Sequence, residues 1–293
     1  MSHTRSRRRR RHQALRTETP STVAVLTTET DFTAMRGYRS FAFDDYAAYL
    51  QQVQALLRHL SGQGLHTRVA PFDPDRFAAY CLRDGLDPDA PVSRTRYTAE
   101  IAGTGLTVPY DGQPCHDLLP LLRAWRARDA VQDEADRVLD TLGGGEAPLH
   151  TAAEALDALL TALGAGTHHL VCSVDGPRAP LLAVLHTDTA PDGTWELAES
   201  DVLLFCSVLA AGLATGSPGG LVTRTTPPAC RGDRPSETVR GWCLHRGWLA
   251  PLTEAQVFSA YCTHAETGEP VPPEPGVTYA AGVPLARTAP GGA

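Results

Sequence analysis

Three aspartates, Asp31, Asp73 and Asp111, each follow a short β-type run in the first half of the chain. In an open parallel sheet, ligands bind outside the carboxyl ends of the strands. Acids gathered at such an edge can hold Mg²⁺ and support phosphoryl transfer or phosphodiester cleavage. Glu29 and Asp75 belong to the same expected edge, and Asp44 and Asp45 open the helix after the first run. Each acid also has a local duty. Asp73 precedes Pro74 in the order of a helix cap followed by proline at the first helical position. Asp44 and Asp45 favour a helix N-terminus through its dipole, and Asp111-Gly112 is turn chemistry. The metal-dependent enzyme is therefore the rival reading, and the structural one leads.

Histidines and cysteines form a second constellation. His168, His169 and Cys172 share one β-type run, but four strand residues put His168 and Cys172 roughly 13 Å apart. Zinc ligands sit about 2.0–2.3 Å from the ion, so one ion does not bridge that gap. Cys243 and His245 are closer, at roughly 7 Å along a strand, and would need partners such as Cys115 and His116. The sequence predicts buried thiols and hydrogen-bonded imidazoles instead, with no metal and no cofactor. Trp242 and Trp248 bracket His245. The three are the ligand-binding candidates, as a pocket or a partner surface, with a core contact as the commoner fate of such tryptophans.

Several chemistries are absent outright. All 26 basic residues counted as Lys plus Arg are arginine, which removes Schiff-base, Ser-Lys and P-loop mechanisms. There is no G-x-S-x-G elbow. Gly216-Ser217-Pro218-Gly219-Gly220 has the wrong order, and its proline lacks a backbone donor. Cys262 and His264 are too close in sequence to be diagnostic of thiol catalysis. Gly103-Thr104-Gly105 lacks the third glycine of a dinucleotide fingerprint.

The chain has 293 residues and a net charge of −7. Residues 1–16 carry seven arginines and no acid, which leaves a body of about −14 that repels nucleic acid and anionic lipid. The leader reads as a poorly ordered extension; its other reading is a nucleic-acid contact through Arg7, Arg8, Arg9, Arg10 and Arg11. Seven cysteines without a C-x-x-C pair fit a reducing compartment, and the longest apolar stretch, 202–214, is too short for a span. A cytoplasmic protein with no membrane contact is expected.

Hydrophobic spacing sets the organisation. Strands are predicted at 22–28, 65–70 and 106–110. Helices are predicted at 44–60, after Asp73, from a Ser93 cap to Ile101, and at 117–142 with a bend at Pro120. Alternating strand and helix suggest a small parallel βαβ sheet. The Gly143-Gly144-Gly145 run marks the boundary. Beyond it, Thr151 and Glu154 suggest a capping box, and 168–174 with 181–187 a hairpin. A short strand follows at 195–197, then a very apolar helix at 201–213. Strands at 221–226, 238–245 and 277–281 complete the pattern, with a helix capped at Thr253 before the last of them. Phe77-Ala-Ala-Tyr80-Cys81 echoes Phe258-Ser-Ala-Tyr261-Cys262, which reads as two amphipathic helices rather than a duplication. The expected division is a disordered arginine-rich tail at 1–20, a βαβ-type α/β domain at 21–145, an α+β antiparallel-sheet domain at 146–284, and a disordered tail at 285–293.

The segments FAFDDYAAYL, GLHTRVAPFDPDRFAAYC, SRTRYTAEIAG, GTHHLVCSV and YCTHAETGEPVPPEPGVTY together resemble a group of uncharacterised proteins from high-GC actinobacteria. The resemblance covers most of the chain beyond the arginine leader. It implies a folded cytoplasmic bacterial protein and carries no activity or catalytic residue. The sequence reading is a non-catalytic accessory or regulatory protein that binds a small ligand or a protein partner. The alternative is an Mg²⁺-dependent enzyme acting on phosphate esters through Asp31, Asp73 and Asp111.

Overall fold

The computed structural model describes residues 21–103, 107–190, 193–228, 236–264 and 267–287. The arginine leader, residues 229–235 and the residues from 288 onward lie outside the described residues. The chain has mixed α/β content in two compact units, 1–127 and 128–293.

In the first unit, β1 (Ser21–Val25) and β2 (Thr67–Pro71) pair in parallel, in register from Ser21 opposite Thr67 to Val25 opposite Pro71. A right-handed crossover is the usual way to join such a pair. Here the connection holds α1 (Glu29–Met35), absent from the sequence expectation, and α2 (Tyr46–Gly62). Asp45 caps α2, its Oδ1 accepting from the Ala48 amide at 2.7 Å. After β2 come α3 (Pro74–Asp84) and α4 (Pro91–Gly103). Ser93 does not cap α4. It lies inside the helix, and its hydroxyl donates to the Asp87 carbonyl at 2.6 Å.

The third strand corrects the expectation of an all-parallel sheet. β3 (Val108–Pro109) runs antiparallel to β2, with Val108 opposite Val69 and Pro109 opposite Arg68. A helical crossover precedes it, as in a parallel unit, so local pattern alone did not give its direction. The core of this unit packs Phe32, Tyr49, Leu57, Val69, Phe77 and Leu118.

Helix α5 (Cys115–Thr141) is continuous through Pro120, and the division between the units falls inside it, between Ala127 and Arg128. The glycine run at 143–145 is the turn into α6 (Glu146–Leu163). Gly143 and Gly144 adopt φ of 91° and 125°, open only to glycine without strain. α6 starts five residues before Thr151, whose hydroxyl bonds back to Ala147 inside the helix, so the Thr151–Glu154 box is not used as a cap.

The second unit is a seven-stranded sheet. Its strands are β4 (Thr167–Val174), β5 (Leu181–Thr189), β6 (Trp195–Glu196), β7 (Gly219–Thr226), β8 (Glu237–His245), β9 (Trp248–Pro251) and β10 (Val277–Tyr279). The order is β10-β8-β7-β4-β5-β6, with β9 on β8. All neighbours are antiparallel except β10 on β8. Residues alternate across β4, so that His168, Leu170, Cys172 and Val174 are buried. That face packs against α7 (Glu199–Thr215), which is buried continuously from Leu204 to Leu213. A Cβ at Gly212 would stand 2.7 Å from Val174 Cγ2, so the absent side chain sets the helix–sheet distance.

Thr253 and Gln256 cap α8 (Glu254–Tyr261) reciprocally, as the sequence predicts. The two echoed segments diverge in role: Phe77 of α3 is fully buried, whereas Phe258 of α8 is 44% exposed.

The β8–β9 hairpin turns on Arg246 and Gly247, at φ 51° and 71°. Two positive φ values are the requirement of a type I′ turn, for which Asn-Gly is preferred. A long side chain in that region costs energy. Arg246→Asn is expected to stabilise the protein by about 0.5–1 kcal/mol, read as a higher urea midpoint at unchanged m-value. A lower midpoint would refute the turn assignment.

Candidate functional site

The carboxyl edge of the parallel pair gathers Asp31 and Asp73 with Thr27, Arg123 and Arg126. β1 is followed by Leu26 and Thr27, and Thr28 caps α1 by accepting the Asp31 amide at 3.1 Å. β2 is followed by Phe72 and Asp73. One Asp73 oxygen, Oδ1, caps α3 by accepting from the amides of Asp75 and Arg76 at 2.9 and 3.0 Å. The other oxygen, Oδ2, accepts from Arg126 Nη2 at 2.8 Å. Arg126 Nη1 reaches Asp31 Oδ2 at 2.5 Å and Thr27 Oγ1 at 3.3 Å. Arg123, one helical turn earlier, donates through Nε to the Thr27 carbonyl at 2.8 Å. A single guanidinium on α5 thus ties together the loops that follow both parallel strands.

Asp31 and Asp73 are therefore brought together, with a positive side chain already between them. Asp111 is not part of this group. Because β3 is antiparallel, the Tyr110 amide bonds the Thr67 carbonyl at 2.9 Å, beside the start of β2. Asp111 follows at the amino edge, exposed, with its own amide on Gln113 Oε1 at 2.6 Å. The span of β2 separates the two edges by about 13 Å. Among the described residues no group of three or more His, Cys, Asp or Glu is placed to hold a metal ion.

Burial pushes the Asp73 carboxyl up, but the Arg76 amide and the Arg126 guanidinium outweigh it and hold its pKa below the ordinary carboxylate value. An ionised Asp73 capping a helix while pairing an arginine is a structural device.

Beside this edge lies a cavity of about 230 Å³. Ala24 and Leu26 from the end of β1, Phe72 from the end of β2 and Met35 of α1 form one part of its lining. Ser40, Phe41 and Phe43 from the α1–α2 loop, Tyr49 of α2, and Arg94 and Thr98 of α4 form the rest. The rings of Phe41 and Phe43 lie 4.8 Å apart, and Phe43 meets Tyr49 edge-on at 5.2 Å. The Tyr49 hydroxyl accepts from the Leu26 amide at 3.0 Å, which holds the ring against the strand end. Ser40 is fixed by Asp89, whose Oδ1 accepts its amide at 2.8 Å.

None of these lining residues was a sequence candidate. Eleven of the fifteen Phe and Tyr residues fall within the first 127 positions, an asymmetry that the sequence reading did not use. Their convergence required the crossover to fold the α1–α2 loop back over the strand ends.

Of the tryptophan candidates, Trp242 belongs to the second unit's core, and Trp248, half-buried, packs against it. Trp242 is fully buried and donates through Nε1 to the Val283 carbonyl at 2.9 Å. Trp248 donates to the Leu285 carbonyl at 3.2 Å, and the Arg287 guanidinium lies 5.4 Å from its ring centroid. These contacts anchor residues 283–287. His245 ends β8 exposed to solvent.

His168 is fully buried, with Nδ1 on Thr225 Oγ1 at 2.9 Å and Nε2 on the Gly164 carbonyl at 3.0 Å. Burial lowers its pKa, so the folded state holds it neutral. The unfolded chain takes the proton first, near pH 6.5. Stability should therefore fall as pH drops below that value. His168→Gln is expected to flatten the urea midpoint between pH 7 and 5 relative to the parent; an equal slope in both proteins would contradict this.

Residues 7–113 match the model of a domain of unknown function, DUF8829. The matched stretch contains every residue that lines the cavity and ends before α5 supplies Arg123 and Arg126. No curated protein and no solved structure matches the chain. No helix among the described residues is long and apolar enough to cross a membrane.

Proposed function

We propose that the first unit is a binding module for a small ring-bearing molecule, and that the protein acts as an accessory or regulatory factor rather than a catalyst. The observation that carries this reading is the aromatic-walled cavity at the carboxyl edge of the parallel pair. That edge is where open α/β sheets bind ligands. Most ligand pockets span about 300–1,000 Å³, so this one suits a molecule of one ring. A cavity of roughly 150 Å³ already accepts benzene. Against the phosphate-ester reading stand the guanidinium between Asp31 and Asp73 and the position of Asp111 at the other edge. Lysine-free composition and cysteines that are unpaired among the described residues support cytoplasmic residence in a high-GC actinobacterium.

A ligand that binds only the native state raises its stability, by about 2.7 kcal/mol at a hundredfold excess over Kd. The full chain should melt at a higher temperature with indole or toluene. Thr98→Phe, which fills the cavity from α4, should abolish the rise. No shift with either compound, or a shift indifferent to Thr98→Phe, overturns the proposal.

A further inference from the structure

The one charged group among the described residues lining the cavity is a guanidinium, and this specifies the ligand's charge. The inference rests on the binding reading above and adds a chemical class to it. Arg94 is the one charged side chain among the lining residues. Its Nη1 donates to Ser40 Oγ at 2.8 Å and its Nη2 to the Ser40 carbonyl at 3.3 Å. Both acceptors are neutral. Among the described residues no carboxylate forms an ion pair with Arg94, and Asp89 is engaged with the Ser40 backbone. A guanidinium carries five N–H donors, so most of its capacity is unspent. An arginine that is partly buried without a counter-ion is an unbalanced charge in a body that is otherwise acidic.

One of the three lining hydroxyls, that of Tyr49, adds a donor. The Tyr49 oxygen accepts from Leu26, and its own proton has no acceptor among the described residues. Burial raises its pKa, so it stays a protonated donor. The other two hydroxyl protons are committed: Thr98 donates to the Arg94 carbonyl at 2.9 Å, and Ser40 donates to the Asp89 carbonyl. The cavity therefore offers donors from Arg94 and Tyr49 and has no acid among the described residues that line it. Its walls supply the rest of the specification. Phe41, Phe43 and Tyr49 meet at tilted and edge-on angles, an arrangement that accepts a further ring. Against the roughly 150 Å³ that benzene needs, about 80 Å³ remains, enough for a carboxylate and one methylene.

We propose that the cavity takes a small aromatic carboxylate, its ring among Phe41, Phe43 and Tyr49 and its carboxylate on Arg94. A single guanidinium with no second cation among the lining residues matches one negative charge rather than a phosphate dianion.

Phenylacetate and phenylacetamide have nearly the same shape and differ in charge. Titration calorimetry on the full chain at pH 7 should give phenylacetate a Kd at least tenfold below that of the amide. Arg94→Gln should bring the two within about twofold while leaving the melting temperature of the free protein near that of the parent. Equal affinities on the parent protein overturn the carboxylate assignment and leave the binding module standing. A preference that survives Arg94→Gln overturns the role of Arg94. Silence of both compounds, together with indole and toluene, brings down the binding module itself.

Discussion

Arg126→Ala is expected to cost about 3 kcal/mol of folding stability. The change removes the cation from two carboxylates that stay close together. The Asp31 side chain is 11% exposed and that of Asp73 25%. Neither regains full hydration, and the Thr27 hydroxyl loses a donor as well. Removing one partner of a buried pair leaves the other charge uncompensated, which is worse than removing both. Asp31→Asn with Asp73→Asn in the Arg126→Met background should therefore recover a large part of the loss, because asparagine still caps α3.

The pH dependence follows from the depressed Asp73 pKa. A carboxylate whose folded pKa lies below its unfolded value contributes stability above the unfolded value, about 3.9. That contribution disappears as pH falls through the folded pKa. The parent should lose stability more steeply than Arg126→Ala below about pH 4. Urea denaturation across pH 3 to 7 reads both effects. A cost under about 1 kcal/mol at pH 7 would show that the bridge behaves as an exposed ion pair.

Trp242→Ala is expected to be at least as damaging, at about 3–5 kcal/mol. The indole is fully buried in the second unit, among Leu221, Leu249 and the helices over the sheet. Its loss opens a large void that the paired strands β7, β8 and β9 cannot close without breaking register. It also leaves the Val283 carbonyl without its indole donor, and so loosens the segment at 283–287, which Trp248 still holds at Leu285. Trp242→Phe keeps most of the volume and should lose roughly 1–2 kcal/mol through the missing hydrogen bond. Proteolysis near Val283 should be faster in both variants, since each removes that anchor. A Trp242→Ala protein that unfolds at the parent's urea midpoint would mean the site collapses without cost.

Local signals located most elements of both units. Asp73-Pro74 marked the start of α3 because cap and fixed proline φ act within three residues. Thr253 and Gln256 marked α8 for the same reason. The 168–174 and 181–187 hairpin was legible because strand alternation and the intervening turn are both short-range. The start of α6 was not, since Thr151 lies inside the helix and its hydroxyl bonds to Ala147 instead of to a free amide. Ser93 was misread in the same way. A polar residue with capping chemistry caps only where the helix begins, and packing sets that point.

The cavity was the least legible feature. Its lining comes from β1, β2, α1, the α1–α2 loop, α2 and α4, and of their contacts the sequence suggested only the pairing of β1 with β2. Arg94 carried no motif, and its missing counter-ion is visible only once its surroundings are known. The candidate acids show the converse. Their types and order suggested a shared edge, and the shared edge holds for Asp31 and Asp73 alone.

The amino-acid sequence alone determined the mixed α/β character, the absence of lysine chemistry, the helix caps at Asp73 and Thr253 and the alternating face of β4. These depend on interactions within a few residues. Tertiary structure decided the direction of β3, the bridging of Asp31 and Asp73 by Arg126, the burial of Trp242 and the aromatic cavity with Arg94 at its wall. Each of these depends on which distant segments share space, and that is set by the summed packing of the whole unit rather than by any local preference.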